Sequence, residues 1–426
     1  MERIVVVGAG PAGLVAARRL ATAGADVRVL EARPTVGGRV RSRQQNGFTL
    51  DRGFQVLQTG YPAVRQELDL LGLDLRRFAP GAVLARPGHR SVLSDPLRDP
   101  GGLLGSVRNR EITTADKARV LELRARLAGT NNERVFEQPD TTISTYLYRQ
   151  GFSEAFVERF AAPFYGGITL DRSLTTSKRV FEYTFGALAT GATALPAAGM
   201  RAITAQLAAS AAEAGVDIAC RTRVSDIHAD EHGATIETPT DSMTADAVIV
   251  ATDPPTAAEL TGVKAIPTEG RGCTTQYYAL PRSVAPTGKR LMLNVADDAP
   301  NHIAPLSQVA PEYAEGDRAL LSATFLGEPT ADADALAERT RRALAAWYHD
   351  RQFDSLEILA TDRIGFAQFD QPPGIHDTLP AVDSPSGRCY LAGDYTRWSS
   401  LQGALASGQD AAAAVRQTGA LGQARD

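Results

Sequence analysis

The chain has 426 residues, 43% of them hydrophobic, and a formal net charge of −4 at pH 7. That length points to two interleaved domains with a sizeable core, and so small a charge excludes a nucleic-acid binder or an acidic tail. Three scattered cysteines (Cys220, Cys273, Cys389) exclude a disulfide framework, and among six histidines only His228 and His232 stand at HxxxH spacing, with no HxH, so no metal centre is expected; the cysteines read as buried small hydrophobes.

The first 25 residues carry an apolar run, but glycines interrupt it and charged residues follow, so they read as a strand–turn–helix and not as a signal peptide. Arg3–Val7 is a short strand rich in β-branched residues. Gly8, Gly10 and Gly13 form GxGxxG, the segment from Pro11 to about Ala23 has a helical pattern, and Gly24 stops it. Asp26–Leu30 is the second strand, with Glu31 at its end. The three glycines serve different purposes. Gly8 permits the tight turn, Gly10 removes a side chain where a pyrophosphate would approach, and Gly13 lets helix and strand pack closely. The helix N-terminus, at Pro11 and Ala12, offers free amides and a positive dipole end to phosphates. Glu31 lies close to the roughly 20-residue spacing of a ribose-binding acid, with Ala32 and Arg33 just beyond it. A dinucleotide site is the expectation.

The next stretch, RPTVGGRVRS (33–42), separates FAD from NAD. Gly37 and Gly38 would let the backbone pass close to a diphosphate, and Arg39 would neutralise it with a forked guanidinium. This resembles the second glycine motif of the flavoprotein superfamily that contains amine oxidases, protoporphyrinogen oxidases and phytoene desaturases. Further matches follow in the order that superfamily requires. LDRGFQVL (50–57) is similar to its D-x-G segment, where Gly53 and Phe54 near the flavin. LPAAGM (195–200) resembles the P-x-G-G-M turn, with Ala198 in place of the first glycine. CRTRVSDIHAD (220–230) resembles a strand whose Val224 packs on the adenine edge. DAVIVATDP (246–254), with Ala251, resembles the strand leading out of the FAD domain. RCYLAGDYTRWSSLQGALASGQDAAAAV (388–415) resembles the closing FAD motif. There Gly393 and Asp394 would meet the ribityl and pyrophosphate region. Ser400, Leu401, Gln402 and Ala404 would open a last helix under the flavin ring, its amides favouring negative charge on the reduced flavin.

The resemblance implies an α/β fold in which a Rossmann-like, GR2-type FAD-binding domain (1–60, 196–255, 380–426) is interleaved with a mixed-sheet and helical substrate domain (61–195, 256–379). Within the first insertion, TTADKARVLELRARLAG (113–129) reads as a helix with an apolar face of Ala118, Val120, Leu121 and Leu127. In the second, CTTQYYALP, RLMLNV and RALLSATFLG read as strands and 331–349 as a helix. The last ten residues are expected to fray.

The cofactor would carry the chemistry and the protein would position a C–H bond against flavin N5. The resemblance places Ala367 and Ser400 where amine oxidases have two caging aromatics, and Phe366 where some relatives bond the flavin through cysteine. FAD is therefore expected to be non-covalent. Lys289 reads as a surface residue and not as the flavin-linked lysine of amine oxidases. FAAPFYGGITLDRSLTTSKRVFEY (160–183) resembles a segment of protoporphyrinogen oxidases and carotene desaturases. Trp398, His302 and Tyr278 are further pocket candidates. The expected protein is a cytoplasmic FAD-dependent oxidoreductase that dehydrogenates or desaturates a bulky lipophilic substrate and passes electrons to oxygen, a quinone or another small acceptor. A flavin amine oxidase and a redox-neutral isomerase using reduced FAD stay as alternatives. No run reaches about 18 unbroken apolar residues, and peripheral membrane contact stays open.

Overall fold

The computed structural model describes residues 2–94, 98–99, 111–128, 132–296 and 299–418. A five-stranded parallel sheet forms around β1 (Arg3–Val7). Its neighbours are β2 (Asp26–Glu31), β3 (Asp217–Cys220), β4 (Ala247–Val250) and β5 (Cys389–Leu391), in the spatial order β3-β2-β1-β4-β5. Val7 stands opposite Leu30 on one side and Val250 on the other. The continuous apolar runs of β1 and β4 are what a parallel strand covered on both faces needs. Period-two alternation then splits β1: Ile4 and Val6 enter one core, Val5 and Val7 another.

The first of these cores is covered by three helices. α1 (Pro11–Thr22) packs against both α2 (Arg201–Glu213) and α3 (Leu401–Gln417), with Leu14, Leu20, Leu207 and Leu405 buried between them. A Cβ at Gly408 of α3 would collide with the Ala12 carbonyl oxygen, so α3 can approach α1 only as a glycine helix face. On the opposite side lies a three-stranded antiparallel sheet (Asp226–Ala229, Ala234–Glu237, Ser242–Ala245) that contributes Ile236 to the second core.

A seven-stranded mixed sheet forms the other half of the molecule. Its order is 357–369, 270–281, 318–326, 302–304, 291–294, 82–86, 89–93, antiparallel throughout except where Leu291–Asn294 runs parallel to Ala82–Arg86. The helix Ala333–Trp347 covers one face through Leu336, Leu344 and Trp347. Helices Thr114–Ala128, Ile143–Arg149, Ala162–Thr169 and Lys178–Thr190 form a separate helical core on Leu147, Phe152, Phe156, Tyr165 and Phe181.

Three expectations need correction. In the helix Thr114–Ala128 the buried positions are Asp116, Leu123 and Leu127, while Ala118 and Leu121 face outward. Positions 116, 120, 123 and 127 share one stripe at 3.6 residues per turn, and 118 and 121 lie on the far side. Burial of Asp116 is made tolerable by four donors: the amides and hydroxyls of Thr113 and Ser153. Second, 220–230 is not one strand. β3 ends at Cys220, Arg221 takes a positive φ of 60°, and the amides of Arg221 and Thr222 bond back to the carbonyls of Arg33 and Glu31. The chain therefore leaves the parallel sheet before starting Asp226–Ala229. Third, of the terminal ten residues, Gln417 still belongs to α3 and Thr418 caps it; 419–426 lie outside the described residues.

Candidate functional site

The carboxyl end of β1 and the start of α1 make a loop pinned at three points. The Gly8 amide donates to the Leu30 carbonyl at 2.8 Å, the Gly37 amide donates to the Ala9 carbonyl at 2.9 Å, and Glu31 accepts the Ala9 amide at 2.9 Å and the Arg33 amide at 2.8 Å. Glu31 is buried. Its carboxylate therefore organises the loop. Gly8 has φ +107°, and a Cβ there would lie 2.7 Å from the Ala251 carbonyl oxygen; a Cβ on Gly13 would collide with the Gly8 carbonyl oxygen. These two glycines are demanded by the protein's own packing.

Gly10 is different. Its backbone is extended, with φ −80°, and a Cβ would meet nothing nearer than the Gly38 Cα at 4.0 Å. Protein packing leaves that space clear, and no side chain caps the start of α1. This is the cradle that a diphosphate requires.

The three arginines after the glycine pair are sorted by the fold. Arg43 forms a two-pronged pair with Asp362 at 3.0 and 2.9 Å. Arg39 reaches Asp394 of the closing motif at 2.5 Å and the Ala367 carbonyl at 3.2 Å. The guanidinium thus ties the loop after β2, the strand 357–369 and the segment before α3 into one wall. Arg41 keeps a buried Nε without a partner. Burial, with the Arg33 and Arg52 guanidiniums close by, lowers it to about 10. Cations that depress one another beside an open glycine cradle fit a diphosphate.

Across the cradle, Asp394 also accepts the Ser399 hydroxyl at 2.9 Å, and Ser400 caps α3 by accepting the Gly403 amide at 2.8 Å. Leu401 and Ala404 are half-buried on the first turn. Gln402 is buried, and its side-chain oxygen accepts the Ala63 amide at 2.8 Å. Val224 and Ala251 are buried, Ala251 against Gly8 and Gly13, while Ala32 and Arg33 are exposed. In the P-x-G-G-M-like turn, a Cβ on Gly199 would lie 2.7 Å from Ser42 Oγ, whereas Ala198 points outward, so only the second glycine is indispensable.

The family model for flavin-containing amine oxidoreductases matches residues 11–416. The chain belongs to that family. Protoporphyrinogen oxidase 2 of Arabidopsis thaliana is 30% identical over 198 residues, 45% of this chain and 38% of the relative. Putrescine oxidase of Kocuria rosea is 49% identical over 101 residues, 23% of this chain and 21% of the relative. The chain therefore spans well under half the length of these curated relatives. An oxidoreductase structure from Methanosarcina mazei has the same fold, with a TM-score of 0.73 at 19% identity over 97% of this chain and 100% of that one. The nucleotide of this flavoprotein family is FAD, and the cradle between Gly10 and Gly38 matches it.

The side of the site that would face substrate is built by a ring of contacts. The Ala367 carbonyl holds Arg39. The next residue, Gln368, donates to the Ile168 carbonyl at 2.9 Å, Gly167 lies against His302, and the His302 ring stands 4.9 Å from that of Phe54. The Phe54 amide closes the ring on Thr275 Oγ1 at 3.3 Å. Phe54, Phe160, Phe164 and Ile168 are only half-buried, as are Ala367 and Ser400. Trp398 is buried in a cluster with Tyr61, Tyr183 and Phe136, at 5.8, 4.8 and 6.2 Å between ring centroids. Tyr278 proves to be no pocket residue: it lies on the far face of the mixed sheet, bonded to Thr340 at 2.8 Å under the helix Ala333–Trp347. Strand alternation decides this, since its neighbour Tyr277 points inward and donates to the Asp51 carbonyl at 2.7 Å.

Asp51 is the residue that sequence reasoning passed over. It is buried and accepts the Ser42 hydroxyl at 2.6 Å, the Met200 amide at 2.9 Å and the Tyr313 hydroxyl at 2.9 Å. Burial nevertheless pushes it up to about 6. Its place two residues before Gly53 was the available signal.

Proposed function

We propose that this chain is an FAD-dependent oxidoreductase that dehydrogenates a bulky lipophilic substrate of the porphyrinogen or carotenoid type. Its nucleotide unit would be drawn from 1–60, 196–255 and 380–426, its substrate unit from 61–195 and 256–379, and FAD would be reoxidised by oxygen, a quinone or another small acceptor. Bound FAD supplies the two-electron acceptor for a C–H bond, through hydride transfer to N5. Glu31 would hold the ribose, Arg39 and Arg41 the diphosphate, and the first turn of α3 would favour negative charge on the ring. Non-covalent attachment is supported by the thiols: burial pushes Cys273 up to about 11 and Cys389 up to about 12, and Phe366 is occupied in packing on Gly270.

The observation that carries the substrate reading is that Phe54, Phe160, Phe164 and Ile168 are apolar and only half-buried, and that small half-buried residues, Ala367 and Ser400, stand at the two positions where amine oxidases would have caging aromatics. A broad hydrocarbon can lie on such a surface, whereas a small amine finds no aromatic pair to hold it. Lys289, the lysine that the resemblance brings nearest to the flavin-linked position, is exposed. The kinship with putrescine oxidase keeps an amine oxidase as the second reading. Anaerobic mixing separates them: a conjugated or allylic lipophile should bleach the flavin, and millimolar primary amines should not. Ser400→Trp should block bleaching while FAD stays bound. Rapid bleaching by a small amine, undiminished in Ser400→Trp, would sink the proposal. Turnover only by dithionite-reduced protein would move the reading to an isomerase.

A further inference from the structure

His302 lies on the strand His302–Ala304 with its ring between Gly167 and Phe54, and it is 1% exposed. Its tautomer follows from its neighbours. Asn301 Nδ2 donates to the Pro163 carbonyl at 3.0 Å, and Asn301 Oδ1 accepts from Arg172 at 3.2 Å. These two contacts fix which end of the amide is nitrogen. The second Nδ2 hydrogen then faces His302 Nδ1 at 3.1 Å, so Nδ1 is the acceptor and the proton sits on Nε2. Burial lowers His302 to about 3, which keeps the ring neutral.

His302 Nε2 is a buried donor with no partner. Directly across the strand pair stands Thr324, whose Oγ1 is also buried and unpartnered. Thr275, the next residue in the same cross-strand row, is engaged by the Phe54 amide. On the other side the row runs into Leu293 and Leu84, which pack with Phe160 and Phe164. Two adjacent orphan polar atoms thus sit where the apolar wall begins. A buried donor left unmade is costly to the fold, and a ligand oxygen that completes it recovers that cost.

We propose that His302 Nε2–H, assisted by the Thr324 hydroxyl, is the anchor for an acceptor oxygen on an otherwise apolar substrate lying against Phe54, Phe160 and Phe164. This rests on the flavin-facing cleft proposed above and narrows its substrate class to lipophiles bearing a carbonyl or carboxylate oxygen, excluding pure hydrocarbons and amines that bring only donors.

The test uses the FAD-loaded protein and two probes of the same shape, 2-acetonaphthone and 2-isopropenylnaphthalene, with the visible flavin bands as the signal. The ketone should bind roughly tenfold more tightly than the hydrocarbon, the scale of one buried hydrogen bond. His302→Phe should abolish that preference, and because it also takes the acceptor from the second Asn301 Nδ2 hydrogen it should lower Tm; His302→Gln, which can accept from Asn301 and still donate, should restore part of the preference. Thr324→Val should reduce it by a smaller factor and covers the case in which His302→Phe does not fold. An undiminished preference in both His302→Phe and Thr324→Val overturns the anchor and leaves the cleft standing. Equal binding of both probes to the wild type does the same. Failure of both probes to perturb the flavin overturns the anchor and the cleft together.

Discussion

Gly10→Ala and Gly13→Ala should fail in opposite ways, and the contrast tests whether the cradle is a site or merely a tight turn. At Gly10 the backbone already has φ −80°, so alanine adopts it without strain. The new methyl meets only the Gly38 Cα, at 4.0 Å, an ordinary van der Waals distance. Replacing glycine in a compatible conformation restricts the unfolded chain and stabilises by about 0.4–1 kcal/mol. The apoprotein should therefore melt at the same temperature or slightly higher. The methyl would enter the space proposed for the diphosphate, and forced overpacking costs about 1–3 kcal/mol; FAD should bind roughly five- to 150-fold more weakly. At Gly13 the added carbon collides with the Gly8 carbonyl oxygen and lies 3.1 Å from the Ala251 side chain. The backbone of α1 and β1 must move, so that variant should lose stability with or without FAD. Apoprotein melting by circular dichroism and quenching of FAD fluorescence on titration give the two quantities independently. Wild-type FAD affinity in Gly10→Ala would refute the reasoning, as would equal loss of apoprotein stability in both variants.

Glu31→Ala should lower both FAD occupancy and apoprotein stability, since it strips the amides of Ala9 and Arg33 of their acceptor, at about 1–3 kcal/mol for the buried Ala9 amide left unpaired and less for the Arg33 amide, which water can reach; denaturant midpoints check this. Arg39→Lys should keep the attraction to Asp394 but lose the fork that also holds the Ala367 carbonyl. Flavin-to-protein absorbance ratios should fall modestly for Arg39→Lys and nearly to zero for Arg39→Glu; equal ratios across the three proteins would contradict the assignment. Asp51 is raised from 3.8 to about 6 in the fold, so the native state holds its proton more tightly than the unfolded chain. Its stabilising contribution is complete below about pH 4 and is lost as pH rises through about 6. Asp51→Asn mimics the protonated form and should match the wild type at low pH but exceed it by roughly 3 kcal/mol at pH 7, as measured by urea unfolding across that range.

The nucleotide half was legible because its constraints are local. The β-branched run of β1, the glycines that follow it and Glu31 at the end of β2 all act within one strand–helix–strand unit, where spacing along the chain is spacing in space. The exposed Lys289 and the helix Ala333–Trp347 were readable for the same reason. Residues whose meaning depends on a distant partner were not. Arg39, Arg41 and Arg43 look equivalent in sequence, and only contacts across more than 300 residues give the first to Asp394 and the third to Asp362. Tyr277 and Tyr278 are adjacent, yet strand direction sends one to Asp51 and the other to the far core. His302 carried no motif at all. Its neutral tautomer and orphan donor exist only because Pro163, Arg172 and Asn301, drawn from a helix, a turn and a strand edge, converge on it. The sequence alone determined the cofactor class, because a phosphate-binding loop is a short-range backbone problem; tertiary structure alone assembled the surface proposed to face substrate, because its side chains become neighbours only when the mixed sheet closes against the helices.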